Sequence, residues 1–218
     1  MKNHKFLFLN ILLLASIGQV AADMYLPSLP AIAQYFSIGS GAVEWSVSFY
    51  MWGFALSQLC YGPFSDAIGR RKPLIIGLGI LCLGSIVCVF SQNIQMLILG
   101  RFLQGIGAGS GASLSWVILR DTHEGETMAK YGSYLAMSGI VLMACAPLLG
   151  GLFQWVYNWY ATFIFLTLYA VVVFFVIYKQ LPETNLYCDK QHLRLSVMIN
   201  NCLSLLKHDQ FKYYSWSS

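Results

Sequence analysis

Gly62-Pro-Phe-Ser-Asp-Ala-Ile-Gly-Arg-Arg-Lys-Pro73 sets one acid, three bases and turn-forming glycine and proline in a short gap between two long apolar segments. Working outward from it, six largely apolar runs follow one another: 6–24, 43–64, 74–90, 96–119, 131–153 and 160–178. Each is close to the roughly 20 residues that cross a bilayer as a helix. The chain is 57% hydrophobic and only 10% charged, whereas a soluble domain carries roughly a quarter charged residues. Its main solvent is therefore lipid. The runs are too long for membrane strands, so their backbone polar groups must be satisfied within helices. The first run is longer than a signal-peptide core and lacks a clear small-x-small cleavage site, so it reads as a membrane helix. The fold class is an all-α membrane protein: a six-helix bundle over residues 1–180, followed by a polar tail over 181–218.

Charge placement orients the bundle. Lys2 and Lys5 precede the first run, Arg70, Arg71 and Lys72 lie between the second and third, and Arg120 and Lys130 lie between the fourth and fifth. Lys179, Lys190, Arg194, Lys207 and Lys212 follow the sixth, while the gaps at 25–42, 91–95 and 154–159 contain no lysine or arginine. Every base except Arg101 thus falls on one side. By the positive-inside rule that side is the cytoplasm, with both termini inside. The basic balance reports topology and gives no reason to invoke nucleic acid. The six cysteines show no metal-ligand spacing and no disulfide framework, so no metal or cofactor is expected. Gly105-Ile-Gly-Ala-Gly-Ser-Gly-Ala112 has overlapping small-xxx-small spacings that bring helix backbones together, and Gly77, Gly79 and Gly84 suggest the same for the third run. The glycine run follows no strand, so a dinucleotide-binding loop fails its context. The outer gap 25–42 is the longest, and Pro27 and Pro30 should break it cleanly from the first helix. The tight outer turns should make the third and fourth helices, and the fifth and sixth, adjacent hairpins.

Charge inside a bilayer is costly and marks function. Asp23 lies about 25 Å along its helix from Phe6, and Arg101 about 27 Å from the inner end of its own. At matched depth the two could sense each other, and an acid alternating between an arginine and a desolvated site can load and release a proton. The other readings are a polar helix exit for Asp23 and a lock on backbone carbonyls for Arg101. Gln104, one turn beyond Arg101, lines the same path or bonds a neighbouring helix. On the inner surface Asp66 and Arg70 are spaced i, i+4, Gly69 permits a turn, and Asp121 falls at the same level. Asp66, Arg70 and Asp121 could clamp helices in one arrangement and release them in another. Pro147, with Gly150 and Gly151, sits inside the fifth run, where it makes a kink or a hinge.

Four stretches carry a family resemblance. Asp23-Met-Tyr-Leu-Pro-Ser-Leu-Pro30, Gly62–Leu74, Leu99-Gly-Arg-Phe-Leu-Gln-Gly-Ile-Gly107 and Ala146–Gly151 resemble, in order and spacing, motifs of the major facilitator superfamily. The first is similar to the first-helix signature of the Bcr/CflA group of drug:proton antiporters, and Leu181-Pro-Glu-Thr184 to a common end of helix six. Ala67 departs from the pattern, standing where a basic residue is common. The resemblance implies one N-terminal half of a transporter fold in the bacterial inner membrane. It implies proton-coupled export of small amphipathic compounds, with Asp23 and Arg101 in proton coupling and Gln104 on the substrate path. Gly62, Asp66, Gly69, Arg70, Arg71 and Asp121 would form the cytoplasmic gate, and Pro147, Gly150 and Gly151 the antiporter motif.

An intramembrane serine protease would need a base near its nucleophile, and His4, His123, His192 and His208 all lie outside the runs. No Gly-x-x-x-x-Gly-Lys motif is present, so an ion gradient is the energy source the sequence leaves for transport. The implied partners are the lipid bilayer, a small-molecule substrate, protons, and a C-terminal half or a second copy of the chain. Family members carry twelve helices with the cavity between two related halves. Here Leu193–Leu206 reads as an interfacial connecting helix and Lys207–Phe211 as the approach to a seventh span. The chain is therefore expected to be a truncated or frameshifted product, or a fragment, and a transport-inactive remnant is the alternative to an active half. DNA just beyond codon 211 should encode further apolar helices in some frame; finding none would end that expectation.

Overall fold

A computed structural model of the protein describes residues 2–185. The expectations for Leu193–Leu206 and Lys207–Phe211 lie outside the described residues. Helix α1 spans Lys2–Asp23, followed by a 3-10 turn at Leu26–Ser28 and the short α2, Leu29–Tyr35. Then come α3 (Ser40–Ile68), α4 (Arg71–Val89), α5 (Ile94–Thr122), α6 (Gly125–Val156) and α7 (Trp159–Gln180). The described residues contain helices and no strands. Four of the long helices, α4 to α7, and the stretch Leu7–Tyr35 are apolar enough on their own to cross a membrane. Helix α3 is 29 residues long but diluted by Ser46, Ser48, Tyr50, Ser57, Gln58 and Tyr61. Its length makes it the sixth crossing of an all-α, multi-pass bundle.

Two sequence expectations about breaks are corrected. The prolines of the outer gap do not make the break after α1: a turn at Met24 and Tyr25 follows the helix, and Pro27 and Pro30 fall in the first turns of the 3-10 segment and of α2. There a missing N–H costs nothing and the fixed φ favours helix. Nor does the second span end at residue 64, since α3 runs through Pro63 to Ile68. The break comes only at Gly69, with φ at +93°, a conformation that favours glycine. Helix α6 likewise continues through Pro147.

Helix α5 is the hub, packed against α3, α4 and α1. Its glycines are the reason. A methyl group at Gly105 would strike the Tyr50 carbonyl of α3, and one at Gly107 the backbone of α4 at Leu81. At Gly111 it would meet the Leu14 carbonyl of α1 at 2.5 Å. Lipid is as apolar as leucine, so association here comes from van der Waals contact at short range, which small residues permit. On α4, Gly77 and Gly84 face α5 closely, but Gly79 has nothing within 4 Å; the packing role expected of it is not found. Asn93 starts α5 by accepting the Met96 N–H at 2.8 Å, and Asn158 starts α7 by accepting that of Tyr160 at 3.1 Å. Both are side-chain N-caps. The α4–α5 hairpin packs along its length, whereas α6 and α7 touch lightly and α7 lies mainly against α4. Outside, Tyr35 and Phe36 at the end of α2 pack on Trp159, with ring centroids 5.4 and 5.8 Å away.

Gly105→Leu should destabilise the detergent-solubilised protein by about 1–3 kcal/mol or more through overpacking, whereas Gly79→Leu should leave its melting temperature nearly unchanged. Equal shifts for both would refute the hub assignment.

Candidate functional site

Two polar centres lie at opposite ends of the bundle. The outer one is built around Arg101 of α5, which is fully buried. A buried cation needs compensation, and no carboxylate supplies it here: among the described residues the ion pairs found are those of Arg70. Instead Arg101 Nη1 donates to the Ala21 carbonyl at 2.9 Å and to Gln104 Oε1 at 2.8 Å. The guanidinium lies 4.3 Å from the Tyr25 ring centre and 4.2 Å from that of Tyr50, within cation–π range of both. Nε and Nη2 have no hydrogen-bond partner. Gln104 extends the network, its Nε2 donating to Ser85 Oγ at 2.8 Å. Tyr50 donates to the Gly18 carbonyl at 2.7 Å, and Tyr25 shares a hydrogen bond with Ser46.

Asp23 closes α1 two residues beyond Ala21. It is half-buried and accepts from Gln19 Nε2. It does not ion-pair with Arg101, and Tyr50 lies within electrostatic reach of both. Helix α6 abuts this point. A side chain at Gly150 would collide with the Met24 carbonyl, next in sequence to Asp23, and Gly151 lies over Pro27. The structure therefore brings Asp23, Arg101, Gln104, Gly150 and Gly151 into one neighbourhood, with Pro147 one turn away on α6.

The inner centre is built on Arg70 at the α3–α4 corner. Its Nε donates to Asp121 Oδ2 at 2.9 Å, and its Nη1 to Ser65 Oγ at 2.6 Å and to Asp66. Burial works against its charge, but the bonds to Asp121 and Asp66 outweigh this and hold its pKa above the ordinary guanidinium value. Arg71 Nη2 donates to the Tyr178 carbonyl at 2.7 Å, tying the corner to α7. A side chain at Gly62 would meet nothing within 4 Å, but its carbonyl accepts from Ser65 Oγ at 2.7 Å and so helps hold the hydroxyl that meets Arg70. Among the described residues no group of three or more His, Cys, Asp or Glu could hold a metal.

The structure adds three residues that the sequence did not single out as site groups. Tyr25 faces Arg101 from the turn after α1 and Tyr50 from α3, and nothing in their spacing reveals it. Glu183, beyond α7, accepts the backbone N–H groups of Arg70 and Arg71 at 2.7 and 3.2 Å.

Comparison with known proteins agrees with this architecture. The Major Facilitator Superfamily profile matches residues 11–211. Multidrug resistance protein D of Escherichia coli is 34% identical over 82% of this chain and 45% of its own length. The uncharacterized MFS-type transporter YdgK of Bacillus subtilis is 35% identical over 93% of this chain and 51% of its own. The bicyclomycin resistance protein homolog of Haemophilus influenzae is 26% identical over the whole chain and 56% of its own. The chain thus spans about half the length of the curated relatives it matches. Among solved structures, the human organic anion transporter MFSD10 superposes with a TM-score of 0.73 at 17% identity, over 90% of this chain and 52% of that one. A peptide transporter POT in complex with sulfate gives 0.69 at 15% identity, over 94% and 43%. The expected fold, one half of a transporter and not an enzyme, is the one found, and this chain belongs to the Major Facilitator Superfamily.

Proposed function

We propose that this chain is the N-terminal half of a secondary transporter that exports small amphipathic compounds in exchange for protons across the bacterial inner membrane, with both termini cytoplasmic. The observation that carries the reading is the fully buried Arg101, held by a carbonyl, an amide and two aromatic faces, with two of its guanidinium nitrogens unpartnered. In a low-dielectric interior such donors call for an acceptor. Asp23 stands close by on α1 and is occupied by Gln19. In the cycle the Asp23 carboxylate moves to the free N–H groups of Arg101 when the helices rock. Next to the guanidinium its charged form is favoured; withdrawn and desolvated, it binds a proton. Tyr50, within electrostatic reach of both, transmits the exchange. Gln104 holds Arg101 in place and faces the substrate path. Gly150 and Gly151 allow α6 to ride on the end of α1, so displacement of α6 is felt at Asp23. The clamp of Arg70 with Asp66 and Asp121 closes the inner side, and Arg71 supports it through Tyr178.

The names of the multidrug and bicyclomycin resistance relatives support export of drug-like compounds. The partner that completes the cavity is a C-terminal six-helix half. Fusing the chain to that half of multidrug resistance protein D should give a protein whose dye efflux follows an imposed pH gradient. There Asp23→Asn should abolish the gradient dependence, at a cost of about a hundredfold or more in coupled rate, in the range expected for loss of a positioned proton-transfer group. Efflux that keeps full gradient dependence in the variant would exclude Asp23 as the carrier.

A second reading concerns the chain alone. Helices α3 and α6 present wide apolar surfaces, with Trp52, Leu59, Ile140, Leu148 and Trp155 between 65 and 84% exposed. One wall of the cavity is then open, and a single copy does not transport. Proteoliposomes holding only this chain should show no dye movement on a pH jump; movement above empty liposomes would contradict this.

A further inference from the structure

We propose that Glu183 is a positioning residue for the inner clamp, holding the α3–α4 corner so that Arg70 reaches its two carboxylates. Helix α4 begins without a cap of its own. Its N-cap residue is Arg70, a cation whose side chain cannot accept a hydrogen bond. The opening N–H groups of a helix need acceptors, and a negative charge there also meets the positive end of the helix dipole. Glu183 supplies both from more than a hundred residues away. Its Oε1 accepts from Arg70 N at 2.7 Å and its Oε2 from Arg71 N at 3.2 Å. The same Oε1 accepts from Thr184 N and Asn185 N, both at 3.1 Å, so one carboxylate caps α4 and folds its own segment over the corner.

Three further contacts lock this arrangement. The space a side chain at Gly69 would take is filled by Glu183 Oε2, 2.5 Å from the would-be Cβ. Glycine is thus needed there twice, for its φ and for the carboxylate. Asn185 Nδ2 donates to the Asp66 carbonyl at 3.4 Å, on the residue that pairs with Arg70. Leu181 is buried at the end of α7 and anchors the segment. With the Arg70 backbone fixed from α7 and its guanidinium fixed by Ser65, Asp66 and Asp121, the corner couples α3, α4, α5 and the exit of α7. Glu183 touches no substrate path; it acts through Arg70. That the clamp serves as an inner gate rests on the transport reading above, whereas Glu183's hold on the clamp does not.

The test needs no transport. The full chain, purified in mild detergent, is treated with limiting trypsin, and cleavage after Arg70 and Arg71 is timed. Lys72 precedes Pro73 and is not cut. Glu183→Ala should speed cleavage by about five- to tenfold, the loss expected for charge-assisted bonds near solvent. Glu183→Gln keeps an acceptor but no charge and should fall in between, which also preserves the test if the alanine variant fails to fold. In an Asp121→Ala background, where the clamp is already loosened, Glu183→Ala should add less than about twofold, because coupled sites are not additive. Unchanged cleavage in either Glu183 variant, or the same factor in both backgrounds, would overturn the proposal; the latter would mark Glu183 as a helix cap alone.

Discussion

The close approach of backbones along α5 is the constraint on which the rest of the structure depends. Helices in a bilayer gain nothing from hiding apolar surface from lipid, so contact must come from fit. The glycines of α5 bring Tyr50 of α3, Leu81 of α4 and Leu14 of α1 onto its surface. Arg101 lies on the same helix, one turn before Gly105. Because its neighbours approach so closely, the guanidinium is enclosed by Ala21, Tyr25, Tyr50 and Gln104 and has no access to water. Packing and electrostatics are here a single arrangement. Anything that loosens the glycine contacts also hydrates Arg101.

The two polar centres solve the problem of charge in a membrane protein in different ways. At the α3–α4 corner the buried Arg70 meets Asp66 and Asp121 directly, and Asp66 opens the pair to solvent. At the outer centre Arg101 is paired with no carboxylate and draws on dipoles and ring faces. Such an arrangement holds the cation in place and leaves Nε and Nη2 without a partner. The contacts of Gly150 with Met24 and of Arg71 with Tyr178 link each centre to a helix outside the α5 core. The elements that would have to move are thereby joined to the charges that would respond.

Much of this was legible in the residues. Apolar run length gave six crossings, and Asp66 with Arg70 at i, i+4 suggested a pair, which forms across the break at Gly69 and not along a continuing helix. Arg101 and Asp23 stood out because charge in an apolar run is rare. Other features were not legible. The second apolar run ends at residue 64 whereas α3 continues to Ile68, because local propensity cannot show that a membrane helix continues through its final turns when neighbouring helices support it. Gly79 looked identical to Gly77 and Gly84, since spacing does not say which face meets a partner.

What the sequence determined by itself was the kind of solvent, the number of crossings and the identity of the costly charges, because these follow from composition and order along the chain. Tertiary structure alone decided what each charge touches. Tyr25 reaches Arg101 from the turn after α1 and Tyr50 from α3, Gln19 donates to Asp23, and Glu183 caps a helix that begins more than a hundred residues earlier. Such contacts depend on helix rotation and on how deeply each glycine lets its neighbour in, and no local pattern encodes either.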